Sequence, residues 1–211
     1  MNLFSTLKQD LLEPEAIDAL KLTWRSLSFW VLAGALTGWI GCQFLSAPTP
    51  PLTEALAIWL FSVLLAAIAV ADFKTFIIPD MLIWPLLIIG VLVDPVPLLS
   101  GLTAAGFLLF MFWMTKLAAE RASGQEAMGY GDLKLVFVLG VWIGVTGIAP
   151  LLLVASLTAL LTVLLVRLWG YKNKHIPFAP FLALGGWVAF VYGDIINDWL
   201  ITTKYILLGM I

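Results

Sequence analysis

The feature that most restricts this chain is a series of continuous apolar runs with almost no charge inside them. Seven are long enough, or nearly so, to cross a bilayer: residues 26–46, 54–72, 76–94, 97–118, 133–148, 149–168 and 177–193. About 20 apolar residues cross a hydrocarbon core as a helix. Lipid supplies no hydrogen-bond partner, so each run must satisfy its own backbone. The runs do not alternate apolar with polar, as the strands of a membrane barrel would. The expectation is an all-α, polytopic bundle of about seven spans. Composition agrees, at 62% hydrophobic and 11% charged, where a soluble domain carries about a quarter charged residues. A net charge of −2 gives no basic surface for nucleic acid.

Lysine and arginine set the orientation. Lys8, Lys21 and Arg25 precede the first run, and Lys74 lies between the second and third. Lys116, Arg121 and Lys134 surround the loop between the fourth and fifth, and Arg167, Lys172 and Lys174 follow the sixth. The intervening loops have none, so the bias alternates at every crossing and puts the N-terminus in the cytoplasm. Lys204 is the one exception. Residues 1–23 are polar and acidic, with Asp10, Glu13, Glu15 and Asp18, and do not resemble a cleaved leader. They read as an amphipathic cytoplasmic or interfacial segment, followed by a membrane core over 24–193 and an outer-face tail over 194–211. Gly34 with Gly38, and Gly140 with Gly144, are spaced for close helix packing.

An acid at membrane depth needs a reason. Asp94, Asp194, Asp198 and Glu54 fall at outer ends, where water solvates them. Asp72, in "AVADFKTFIIPD", and Asp132, in "GYGDLKL", both fall at the cytoplasmic edge, far apart in sequence but level in depth. Two carboxylates brought together cannot both ionise cheaply, and they share a proton. One acid then takes a proton from water while the other donates to a peptide carbonyl. Gly129 and Gly131 permit unusual backbone angles and close approach of another chain. The same residues also suit a plain turn in which Asp132 caps the following helix.

Three stretches together resemble the type IV prepilin peptidases, membrane aspartic proteases of the GxGD class: "ADFKTFIIPDMLIWPL", "EAMGYGDLKLVFVLGVWIG" and "IPFAPFLALGGW". The likeness covers about residues 27–193. It implies Asp72 and Asp132 as the catalytic pair, with Gly129 and Gly131 as the motif glycines. Asp80, Glu126 and Lys134 match recurrent positions that shape the site or the substrate contact, Asp80 by capping the third helix after Pro79. Pro177 and Pro180 start a helix and pack. The implied activity is removal of the basic leader from type IV prepilins or pseudopilins, at the cytoplasmic face of a bacterial inner membrane. No cofactor and no metal are implied for this core. Many longer relatives carry a further N-terminal helix and a zinc-binding Cys-x-x-Cys domain, and also N-methylate the product. This chain has one cysteine, Cys42, and no glycine-rich nucleotide loop. The expectation is the peptidase core alone, without support for methylation. His175, the single histidine, reads as a solvated loop residue. The rival readings are a proton-coupled transporter, which would place its acids near mid-membrane, and a non-catalytic scaffold of a pilus or secretion machine.

Overall fold

The computed structural model describes residues 52–93, 95–126, 128–168 and 176–207. They form six helices: α1 (Leu52–Thr75), α2 (Asp80–Val93), α3 (Leu98–Ser123), α4 (Tyr130–Ile143), α5 (Ile148–Leu168) and α6 (Ala179–Leu207). Among the described residues there is no strand, as the continuous apolar runs require. The segment 1–23, the run 26–46, Gly34, Gly38, Cys42, Asp94 and His175 lie outside the described residues.

Four helices have the length and apolarity to cross a membrane: Ala55–Thr75, Leu98–Ser123, Ile148–Leu168 and Ala179–Tyr205. This is a membrane protein. The other two helices have 14 residues each, about 21 Å of helix against roughly 30 Å of hydrocarbon. The run 76–94 opens with four non-helical residues, and the run 133–148 closes in a turn over 144–147. Hydropathy alone cannot see either feature, because both stretches are apolar. α6 crosses residue 193, the sequence boundary of the tail, and stays helical to Leu207.

The short α4 is the centre of the bundle. It packs against α2, α3 and α6, while α1 packs against α2 and α6, and α5 against α6. From Leu133 to Ile143 nearly every α4 side chain except Lys134 is buried or partly buried. A lipid-facing helix would be half exposed, so α4 touches protein on all sides. Gly140 makes this possible. A Cβ there would stand 2.4 Å from the Ala105 Cα of α3, so any larger residue would force the two backbones apart. Its partner in the sequence spacing, Gly144, instead closes α4 at φ 63°.

An aromatic cluster fills the half of the core away from the acids. Trp142 is fully buried, with its ring centroid 4.4 Å from that of Phe61 and 5.6 Å from that of Phe190. Its Nε1–H donates to the Leu86 carbonyl of α2 at 2.9 Å, so the one polar atom of the ring is satisfied. Trp187 of α6 donates to the Ser62 hydroxyl of α1 at 2.9 Å, and Ser62 donates to the Ile58 carbonyl at 2.7 Å.

Candidate active site

Asp72 stands on the last full turn of α1 and is buried. The helix cannot run much further. Phe76 takes a left-handed backbone angle, φ 56°, and its N–H donates to the Asp72 carbonyl at 2.9 Å. Thr75 fastens the same turn, donating to the Ala71 carbonyl at 2.8 Å and accepting from the Ile77 N–H at 3.3 Å. A non-glycine residue in this region is strained by roughly 1–2 kcal/mol, and the Phe76 ring remains exposed. After Pro79 the chain enters α2 with Asp80 in its first turn.

Asp132 stands in the first turn of α4, ahead of the apolar stretch that starts at Leu133. Gly124 ends α3 with a left-handed cap, φ 68°, whose N–H donates to the Glu120 carbonyl. The short connection then leads to Gly129, extended at φ −69° and ψ 150°, which opens α4. The two motif glycines have different duties. A Cβ on Gly131 would lie 3.1 Å from the Ile78 Cβ, so glycine lets α4 begin directly against the loop between α1 and α2. A Cβ on Gly129 would make only ordinary contacts, and Gly129 instead lines the cleft.

The third sequence stretch delivers a main-chain donor. Pro177 and Pro180 bracket the start of α6, as their spacing suggests, and the N–H of Ala179 donates to Asp72 Oδ2 at 3.1 Å. Asp72 therefore receives the first turn of a helix, where free N–H groups and the macrodipole meet negative charge. Sequence reading misses this contact because a backbone N–H has no side chain to betray it.

Both aspartates line one cavity of about 660 Å³, together with Phe76, Glu126, Met128, Gly129, Ile176, Pro177 and Phe178. Asp132 Oδ1 is buried and has no hydrogen-bond partner among the described residues. Burial, and then the charge of Asp72, push the Asp132 carboxyl up to about 6, against a backbone hydrogen bond from Gly129 and the charge of Lys116. The interaction means that the two acids sense each other. Such a pair holds a proton at mildly acid pH, one group fit to donate and the other to accept. A second cavity, about 370 Å³, sits at the opposite end of the bundle around Trp142 and Asp194. It contains neither member of the pair.

The remaining predicted positions separate into two groups. Glu126 joins the cleft lining. Asp80 and Lys134 pair with each other instead, Lys134 Nζ lying 2.8 Å from both Asp80 oxygens, and so tie the start of α2 to the start of α4. Neither is among the cleft-lining residues. Lys116, which the sequence offers only as a topological charge, is buried in α3 beside this loop. Its position inside an otherwise apolar run is the available signal. Among the described residues no group of three His, Cys, Asp or Glu side chains is arranged to hold a metal ion.

A model of the type IV leader peptidase family matches residues 59–164, half of the chain and both acids with it. The chain belongs to that family. It is 36% identical over 154 residues to a prepilin leader peptidase/N-methyltransferase of Aeromonas salmonicida, a match covering 70% of this chain and 53% of that protein. Proteins of the same description from Pseudomonas aeruginosa and Pseudomonas putida are 36% and 34% identical over 140 and 170 residues, covering 62% and 74% of this chain and 47% and 57% of theirs. This family member thus spans about half the length of the relatives it matches. No solved structure matches it.

Proposed function

We propose that this protein is a membrane aspartic endopeptidase that removes the basic leader of type IV prepilins or pseudopilins. The observation that carries the proposal is the shared cleft. Asp72 and Asp132 meet there at one end of a membrane bundle, in a chain of the type IV leader peptidase family. Asp72, which already accepts the Ala179 N–H, is the ionised partner and takes a proton from the attacking water. Asp132, whose Oδ1 is unpartnered among the described residues, holds the shared proton and donates it to the scissile carbonyl oxygen. Water oxygen bonds to the carbonyl carbon, and a neutral tetrahedral diol forms. Its collapse breaks the C–N bond as the amine leaves with a proton from the pair, and the acids exchange roles.

The depth of the cleft suits such a substrate. α2 and α4 are too short to fill the bilayer, and irregular backbone is tolerated at that level only where it lines protein or water. The non-helical residues 76–79 and 176–178 meet this condition beside the acids. A chain leaving the membrane as an apolar helix reaches the cleft where it becomes extended. The basic leader beyond it stays near anionic headgroups. The cytoplasmic side of the inner membrane is supported by charge. Lys74, Lys116, Arg121, Lys134 and Arg167 stand at the cleft end, and Lys204 at the other.

The test is cleavage of a labelled prepilin by detergent-solubilised protein. Asp72→Asn and Asp132→Asn should each abolish cutting, while Asp198→Asn, exposed on the far part of α6, should cut like wild type. Cleavage retained in both cleft variants would reject the aspartic mechanism. Folded wild type that binds prepilins of several sequences but cuts none would reject the enzyme in favour of a scaffold.

A further inference from the structure

A lysine buried to 4% exposure inside an apolar helix is an expensive choice that packing alone does not explain. Lys116 uses its ammonium fully. It donates to the Met128 carbonyl, and lies 3.1 Å from Glu120 Oε1 and 3.4 Å from Glu126 Oε1. It also stands 4.1 Å above the centre of the Tyr130 ring. An ammonium has three donors, so each has a partner here. Glu126, Met128 and Tyr130 lie at alternate positions on the chain that enters α4, and one charge gathers all three. Asp132 follows two residues later. An uncharged side chain of equal size would fill the space, but it would leave the Met128 carbonyl unmatched and the loop without its peg.

We infer that Lys116 is the residue that positions Asp132, its buried ammonium shaping the loop that carries the carboxylate into the cleft. This rests on the peptidase reading for its consequence, but not for its geometry. Among the described residues, the charged groups around Asp132 are Asp72 from α1, Lys116 from α3 and Glu126 on the connecting loop. Asp80 of α2 is held by Lys134 of α4, and the approach to α6 at Ile176 to Phe178 is uncharged. Among these, Lys116 supplies the positive charge that acts on Asp132. Removing it leaves the carboxylate with the burial and the negative neighbour that both resist its ionisation. Lys116 is a positioning residue, since it acts through Asp132.

The experiment compares wild type with Lys116→Met, which keeps the length and loses the charge, and Lys116→Arg, which keeps the charge and alters the fork. Protein folding is first checked by thermal unfolding in detergent. With a labelled prepilin, Lys116→Met should lower kcat at least about tenfold with KM changed less than about threefold, as loss of a transition-state contribution requires. Its pH–rate profile should shift upward by about one unit on the alkaline side. Lys116→Arg should keep the wild-type alkaline limb, even where kcat falls. Infrared titration of the protonated carboxyl band, identified by its loss in Asp132→Asn, reads the same coupling without substrate. It should shift upward in Lys116→Met and stay in Lys116→Arg. An infrared titration unmoved in folded Lys116→Met would overturn the inference, whether or not any prepilin is cut. So would an unchanged kcat. Failure of wild type to cut, with the infrared shift present, would instead count against the peptidase reading and leave the role of Lys116 toward Asp132 intact.

Discussion

The two ends of the central helix follow opposite rules. Around Trp142 every polar atom of the ring is matched, the aromatic faces interlock, and Gly140 brings the neighbouring backbone into contact. Around Asp132, at the other end, an oxygen is buried without a partner among the described residues, a charged lysine is buried, and Phe76 sits in a strained backbone region. The first end is organised for stability. The second holds unfavourable groups in place, and the first end is what tolerates them. Strain and unmatched polar groups concentrated at one place are the physical mark of a site.

The largest expected break in this contrast is chemical. Asp72→Asn and Asp132→Asn should each reduce cleavage by about a thousandfold or more, in the range that loss of an acid–base group produces. Neither should lower the thermal midpoint, because each substitution removes a buried ionisable group. A large loss of stability in either would mean that the pair is structural. At the opposite end the signs reverse. Trp142→Ala should cost about 3–5 kcal/mol in a reversible unfolding assay, and the variant that remains folded should still cut.

The pH response comes next. Asp132 is raised from 3.8 to about 6 by burial and by Asp72. The protonated form is therefore favoured by folding. This contribution to stability is fully present below 3.8 and is lost as pH rises through about 6. Cleavage should fall over the same rise, as the shared proton leaves, and unfolding of Asp132→Asn should lack that slope. A profile flat through this window would remove the donor role from Asp132.

Smaller effects separate the two motif glycines. Gly131→Ala should destabilise by about 1–3 kcal/mol, since its Cβ would crowd Ile78. Gly129→Ala should change stability by less than about 1 kcal/mol, and act, if the cleft holds substrate, on KM. Equal effects at both positions would contradict this division. One small expected effect is favourable. Phe76→Gly relieves a left-handed backbone and should raise stability by about 1 kcal/mol. A loss of stability there would show that the exposed ring makes contacts worth more than the strain.

Much of the candidate site is legible in the sequence. Asp72 and Asp132 stand out because charge is rare in these runs and because alternating basic loops put both at one level. The proline-bracketed start of α6 is also visible. Three contacts are not. Ala179 contributes through a main-chain atom, 107 residues from the acid it meets. Asp80 and Lys134 are 54 residues apart, and nothing in either local pattern couples them. Lys116 counts as one more cytoplasmic charge, since exposure cannot be read from a hydropathy profile.

By itself, the sequence determined that this chain is helical and belongs in a membrane. Apolar burial and backbone satisfaction are local demands, written in every run of residues. The tertiary structure alone decided that α4 is central, that two helices stop short of the bilayer thickness, and that the resulting space receives two acids, a helix N-terminus and a loop pegged by lysine. Those outcomes depend on how closely helices approach. That distance is set by a few contacts, such as Gly140 on Ala105 and Gly131 on Ile78, between residues that only folding brings together.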